Sequence, residues 1–380
     1  MKERSSILRS YFKRSDTLLL IMCLAAAIFG LILIKSATGS SARYMVVQIA
    51  STVIGLILYA VFTMVDIDII ADKFWLLFVF STVFIGSLFV FGVAGDSGNR
   101  SWLRFGSVGI QPSEICKIPF IIMVAKLITH QDEQRGVNDK ISVLQSVMLF
   151  GFFFCLIVGA SSDLGSALVY MFIFIVMLYV GGLNYKWIGA GVLALVGVVP
   201  FLWKYFFSQN QKDRILAPYV SSIDPNGTGI RYQANQSRMA IASGKLSGQG
   251  LYNGMMTQSE SVPAQRTDFI FTVAGEELGM IGCLAVIAIL VLIIVRCIYV
   301  GIRSNDRLSG LICIGIASML IFQTLINIGM CLGLTPVIGL TLPFFSYGGS
   351  SNMTLFAAIG IVSGIKMRPK PGGFIGRYDY

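Results

Sequence analysis

Apolar residues run in blocks of close to 20 along almost the whole chain, separated by short polar stretches. Helices of that length cover a hydrocarbon core of roughly 30 Å, because lipid leaves each backbone polar group to be satisfied within its own segment. The pattern predicts spans at 17–35, 44–65, 74–95, 112–130, 143–161, 164–182, 187–207, 269–295, 308–333 and 351–366. The expected fold is an all-α polytopic membrane protein of about ten transmembrane helices, a single domain over 1–380. Residues 1–16 form a flank, 208–267 a large loop between the seventh and eighth spans, and 367–380 a tail. No convincing small-residue cleavage site follows the first block, Leu18 to Ile34, and further spans come at once. It therefore reads as a retained helix, not a cleaved signal.

Composition agrees with this pattern. Of 380 residues, 55% are apolar and 13% charged, which excludes an ordinary soluble domain. The formal net charge of +10 would suggest nucleic acid in a soluble protein. Here the excess sits in short loops, where it sets topology, and no nucleic-acid partner is expected. Lys2, Arg4, Arg9, Lys13 and Arg14 place the N-terminal flank in the cytoplasm. An even number of spans returns the tail, with Lys366, Arg368 and Lys370, to the same side. The long loop is the exception, holding Lys212, Arg214, Arg231, Arg238, Lys245 and Arg266 outside. Long loops follow the charge rule weakly, so the topology survives, and the outside charge calls for an anionic partner such as a lipid headgroup. The turn signal Asp224-Pro-Asn-Gly227 and several glycines suit an ordered lid with short helices, although a disordered linker has a similar composition. Seven cysteines without a C-x-x-C pair give neither a disulfide framework nor a zinc site. The lone histidine, His130, ends a span, which rules out a His-based triad or a His-rich metal site.

The stretch Arg266-Thr-Asp-Phe-Ile-Phe-Thr-Val-Ala-Gly-Glu-Glu-Leu-Gly279 closes the polar loop and opens the eighth span. Asp268 is expected on the first turn of that helix, where free N–H groups and the positive dipole end favour a carboxylate. It reads either as a plain N-cap or as an ionised group meeting water-borne substrate. Glu276, eight residues on, is expected deeper on the same side, lining one shaft with Asp268, while Glu277 points towards another helix. Gln111-Pro-Ser-Glu-Ile-Cys-Lys117 opens the fourth span. Glu114 and Lys117 share a face, either as a self-neutralising pair or as a cavity wall whose lysine meets a phosphate. Asp163, between two spans, reads first as a helix cap. Trp102 and Arg104 place an aromatic and a cation outside, the Trp by default an interface anchor. Pro343-Phe-Phe-Ser-Tyr-Gly-Gly-Ser-Ser351 is a tight turn whose backbone amides also suit an anion.

Taken in order, these motifs resemble the SEDS family (shape, elongation, division and sporulation), the RodA/FtsW peptidoglycan glycosyltransferases. The resemblance runs from the first span to the last. It rests on Gln111-Pro-Ser-Glu114 with Lys117, Asp163-Leu-Gly165, Gln236-Ser237, Thr267-Asp-Phe-Ile-Phe271 with Glu276-Glu-Leu-Gly279, and Pro343 through Ser350. Gly250-Leu-Tyr-Asn-Gly254 with Thr257-Gln258 is more similar to RodA, whereas Gly339-Leu-Thr-Leu-Pro343 resembles FtsW. Three places depart from the family pattern: Ser161-Ser162 stands for Gln-Pro, Arg266 for His, and Ala242-Ser-Gly-Lys245 for Gly-Ser-Gly-Gly.

The resemblance implies an inverting transfer that joins lipid II, a disaccharide-pentapeptide on undecaprenyl diphosphate, into glycan strands outside the bacterial cytoplasmic membrane. It implies Asp268 as the base, Lys117, Arg104 and the loop cations around the diphosphate, and Glu114 in the substrate site orienting Lys117. It extends substrate contacts to Trp102, Gln236, Ser237, Arg266, Glu276, Ser346, Gly348, Gly349 and Ser350. A divalent cation such as Mg²⁺ would help the leaving group, but no metal cage in the sequence requires one. The implied partners are a class B penicillin-binding protein, docking one membrane helix against spans eight and nine, and other elongation-complex membrane proteins. Two other readings stand beside the transferase: a lipid II flippase, for which polar residues should run the full membrane depth, and a non-catalytic scaffold.

Overall fold

The computed structural model describes residues 15–39, 41–94, 99–105, 108–205 and 209–368. The basic flank at 1–14, Ser208 at the start of the long loop, and the tail beyond Arg368 with Lys370 lie outside the described residues.

The chain opens with α1 (Thr17–Ala37) and α2 (Ala42–Met64), then a short α3 (Ile67–Ala71). Helix α4 (Phe74–Gly86) resumes after a step at Ser87 as α5 (Leu88–Phe91). The all-α expectation gains one exception here. Strands β1 (Leu103–Phe105) and β2 (Val108–Ile110) pair antiparallel, with Arg104 opposite Gly109. A four-residue α6 (Pro112–Ile115) precedes α7 (Lys117–Gln134), followed by α8 (Lys140–Ser161), α9 (Leu164–Val180) and α10 (Tyr185–Tyr205). The long loop contains α11 (Gln209–Leu216), α12 (Tyr232–Ser243) and α13 (Met255–Gln258). The bundle closes with α14 (Ile270–Ile302), α15 (Arg307–Cys331) and α16 (Gly349–Met367).

Among the described residues, six helical segments are long and apolar enough to cross a membrane: α1, α2, α4 with α5, α8, α14 and α15. Helices α7, α9, α10 and α16 coincide with the other four expected spans but fall outside that set. Helix α9 has 17 residues, α7 starts on the charge of Lys117, and α16 starts on Gly349-Ser-Ser-Asn352. Local chemistry sets several starts. The carboxylates of Asp16, Asp139, Asp163 and Asp306 accept the N–H groups of Leu19, Ile141, Ser166 and Ser309, donors that a helix start leaves without intrahelical partners.

The buried centre is built from α7, α9, α14, α15 and α16, with apolar faces of α4 and α8 turned outward. Lipid is as apolar as leucine, so small residues and polar contacts hold the helices together. Helix α16 lies so close to α2 that a Cβ at Gly360 would stand 2.6 Å from the Tyr59 carbonyl oxygen, and one at Gly364 would stand 2.9 Å from that of Thr63. Gly360→Ile is therefore expected to cost about 1–3 kcal/mol by overpacking, read as a lower unfolding temperature in detergent. An unchanged transition would refute this account of the α2–α16 contact. At the ends of these helices away from the loop, fully buried Asp16 pairs with Arg296 (2.8 Å) and Lys366 (3.2 Å), tying α1, α14 and α16 together.

Candidate active site

A cavity of about 880 Å³ opens beside the start of α14. Its walls come from the start of α2, the β-hairpin, α6, the turn before α9, the loop helices, and the segments 266–268 and 348–351. Six arginines line it (Arg43, Arg104, Arg214, Arg231, Arg238 and Arg266), facing three acids, Glu114, Asp163 and Asp268; no lysine is among the described lining residues. A guanidinium presents a planar fork of N–H donors that matches phosphate and carboxylate oxygens two at a time, so this wall suits a phosphate-bearing ligand.

Asp268 is half-buried and borders the cavity, with a carboxylate oxygen on the side of Gly339. The expected first-turn position needs correcting. Helix α14 starts at Ile270 with Phe269 as its cap, so Asp268 stands outside the helix in a tight turn in which its own N–H and that of Phe269 both reach the Ala264 carbonyl. Three successive carbonyls of this turn are held from outside. Tyr347 N–H donates to Arg266 (2.9 Å), the Ser346 hydroxyl to Thr267 (2.5 Å), and the Asn327 side-chain amide to Asp268 (2.7 Å).

The shaft expected to join Glu276 with Asp268 is absent. Glu276 is fully buried and does not line the cavity; its oxygens accept the N–H groups of Met256 (2.7 Å) and Thr257 (2.8 Å) and the Thr257 hydroxyl (2.6 Å). The reason is local: the four-residue α13 exposes N–H groups without intrahelical partners, and this carboxylate satisfies them. Glu277 accepts the Ser36 hydroxyl of α1 (2.6 Å) and the Gln258 amide (3.1 Å). Directly after this pair α14 breaks at Gly279, with φ 68° and ψ −161°. The loop segment 245–250 fills the break. Met280 N–H donates to the Lys245 carbonyl (2.9 Å), and the N–H groups of Gln249 and Gly250 donate to the carbonyls of Glu276 and Glu277 (both 3.0 Å). Only glycine fits at Gly244, where a Cβ would meet the Gly275 oxygen at 2.0 Å.

The cap and first turn of α12, from Arg231 to Asn235, line the cavity, followed by Arg238. Gln236 and Ser237, between Asn235 and Arg238, do not line the cavity, unlike the substrate contact expected of them. The Ser237 hydroxyl instead donates to the Cys331 carbonyl (2.8 Å) and bonds the Thr272 hydroxyl (2.5 Å), fastening the loop to α14 and α15. Ser346 is likewise buried in backbone contacts and away from the wall, whereas Gly348, Gly349 and Ser350 line it. The Asp224 turn rests on N–H donors from Arg231 and Gly229, which hold its carboxyl below the usual range.

On the opposite wall Glu114 faces the cavity, and Lys117, fully buried, pairs with it from behind without reaching the lining. Lys117 therefore stands behind Glu114 and not on the cavity wall expected of it. Asp163 borders the cavity, caps α9 through Ser166 N–H (3.0 Å), and accepts the Gln111 amide (3.0 Å). Trp102 and Arg104 line the wall on the β-hairpin. The Arg266 guanidinium lies 4.6 Å from the centre of the Tyr44 ring, and Tyr44 meets Tyr347 edge-on at 5.3 Å. Among the described residues no three His, Cys, Asp or Glu side chains gather as a metal cage. Glu114 is taken up by Lys117, and Asp163 by Ser166 and Gln111.

Sequence reasoning missed the cavity roles of Arg43, Tyr44 and Tyr347, which sit at span edges where such residues are commonplace. Asn327 carried a usable signal, being an amide inside an apolar span.

Fold and site together define a polytopic helical membrane protein with an arginine-lined cavity at one end of its bundle. Residues 16–370 match the family model described as cell cycle protein, FtsW/RodA/SpoVE, and the chain belongs to that family. It is 31% identical over 355 residues to peptidoglycan glycosyltransferase MrdB of Escherichia coli K12, covering 93% of this chain and 94% of that one. It is 32% identical over 365 residues to stage V sporulation protein E of Bacillus subtilis, covering 91% and 95%. A solved structure described as structural coordination of polymerization and crosslinking by a peptidoglycan synthase complex superposes with a TM-score of 0.78 at 26% identity, covering 93% of this chain and 97% of that one. The rod shape determining protein RodA of Thermus thermophilus, at 24% identity, TM-score 0.67 and coverage of 93% and 96%, shares the fold.

Proposed function

We propose that Asp268 is the general base of a lipid II polymerase and that the surrounding arginines receive the departing diphosphate. The chain is a peptidoglycan glycosyltransferase of cell-wall synthesis, the activity its curated relatives are named for. One observation carries the finer reading: a half-buried carboxylate borders a cavity whose other charges are mainly guanidinium groups. In the transfer, the 4-hydroxyl of the acceptor sugar gives its proton to the Asp268 carboxylate while its oxygen bonds the anomeric carbon of the donor. The bond from that carbon to the diphosphate breaks, with inversion. The negative charge that develops on the leaving oxygens meets Arg104, Arg266 and the loop arginines, of which Arg266 is held against the Tyr44 ring and Arg238 by the Asn235 side chain. Glu114, backed by Lys117, and Asp163 shape the facing wall.

The four helices that coincide with the other expected spans support ten crossings, cytoplasmic termini and an extracytoplasmic cavity in a bacterial cytoplasmic membrane. The complex described for the structural neighbour supports a class B penicillin-binding protein as the crosslinking partner. The exposed apolar face of α14, including Ile281, Leu284 and Leu292, is the surface proposed for its membrane helix. The assignment is to elongation and cell shape.

The test is reconstitution in liposomes with fluorescent lipid II, with and without the partner. The expected result is glycan ladders resolved by length. Headgroup movement across the bilayer without ladders would replace the transferase by a flippase.

A further inference from the structure

We propose that Asn327, one turn before the C-terminal end of α15, is a positioning residue for Asp268, with Ser346 as its second support. The inference rests on the reading of Asp268 as the base. Asn327 is fully buried, and its amide nitrogen lies 2.7 Å from the Asp268 carbonyl oxygen and 2.6 Å from that of Leu340. Carbonyl oxygens only accept, so both amide protons are committed and the orientation of the side chain is fixed. The amide oxygen faces the Cys331 thiol at 4.0 Å. One side chain thus joins the peptide of Asp268 to Leu340, whose neighbour Gly339 would carry a Cβ 3.6 Å from an Asp268 carboxylate oxygen.

Ser346 does the same one residue earlier. Its hydroxyl donates to the Thr267 carbonyl (2.5 Å) and accepts from Leu342 N–H (2.8 Å). Neither side chain lines the cavity, so neither touches substrate. Asp268 precedes its helix and lacks the continuous ladder that would fix a helical residue. These two side-chain contacts add to the backbone bonds at Ala264 and Tyr347 and to the Cys331 thiol, 3.8 Å from the Asp268 carbonyl, in placing it. The support also reaches the lid: the Cys331 carbonyl, one helical turn beyond Asn327, accepts the Ser237 hydroxyl of α12 (2.8 Å). Loop docking and base placement share one end of α15.

A misplacement of a reacting group by about 1 Å is worth about 10²-fold in rate. In the liposome polymerisation assay, Asn327→Asp, which keeps the shape and leaves at most one O–H donor for two carbonyls, is expected to lower kcat by about 10²-fold with KM for lipid II changed less than about 3-fold. Ser346→Ala is expected to lower kcat by about 10-fold, and Ser346→Thr, which keeps the hydroxyl, to restore most of it. The Ser346 pair decides the matter if Asn327→Asp fails to fold. Wild-type kcat in folded Asn327→Asp, or equal kcat in the Ala and Thr variants of Ser346, overturns the proposal. Asp268→Asn is run beside them. If it alone is inactive while the others turn over normally, the base assignment stands and positioning by Asn327 falls. If Asp268→Asn retains full activity, the base assignment fails first, and positioning falls with it.

Discussion

Asp268→Asn is expected to lower glycan polymerisation by about 10²- to 10⁴-fold, the usual worth of one positioned base, while lipid II still binds. The substitution keeps the shape and removes the basic oxygen, so it separates proton transfer from packing. Asp268→Ala should behave alike, because the contacts that hold this turn use the backbone carbonyls of residues 266–268, which both variants retain. The measurement is the length-resolved product ladder, with lipid II affinity recorded in parallel. Ladders at wild-type rate in both variants would move the base off this residue. Glu276 would not be the substitute, since it is buried under α13 away from the cavity; Glu114 and Asp163 are the other acids on the wall.

Removing either partner of the Glu114–Lys117 pair should have the largest effect on stability. Lys117 is fully buried, and Glu114→Gln would leave its ammonium without a counter-charge, at a cost of about 3–5 kcal/mol. Lys117→Met would strand the carboxylate in the same way. Against a typical total of about 5–15 kcal/mol, either loss should cut the yield of folded protein. The double variant Glu114→Gln with Lys117→Met removes both charges and should recover the unfolding temperature. It should not recover activity, because Glu114 faces the cavity while Lys117 supports it from behind. Thermal unfolding in detergent and the polymerisation assay together check this. A double variant that regains both would reduce the pair to a device for burying a helix start.

Much of the fold was legible because lipid imposes one simple demand on sequence. A span has to be apolar for close to 20 residues and satisfy its backbone internally, so the helices stand in the composition of each stretch. Each of the ten expected stretches contains a helix among the described residues, and six of these helical segments pass on length and apolarity alone. The helices that fall outside that set show why counting is less secure. Helix α7 opens on a buried charge and α16 on a run of small polar residues, because both face protein and not lipid.

The site was legible at Asp268, Glu114, Asp163, Trp102 and Arg104, where charge or an aromatic stands at the edge of an apolar run. It was misread where helical periodicity was extended too far. Glu276 lies eight residues after Asp268, a spacing that means one face only if both residues belong to one helix. The helix starts after Asp268 and breaks at Gly279. Ser237 and Ser346 were misread for a related reason, since a hydroxyl in a motif gives no sign of whether it points to a ligand or to a neighbouring carbonyl.

By itself the sequence determined that this is a helical membrane protein, that its charges gather beside one long polar loop, and that Asp268 stands where that loop meets a helix. These follow from local composition and short-range spacing. Only the tertiary structure decided which cations share the cavity with Asp268, that Lys117 stands behind Glu114, and that Asn327 holds the Asp268 peptide from 59 residues away. Such contacts depend on how separate helices pack against one another, and no periodicity within a single segment records that.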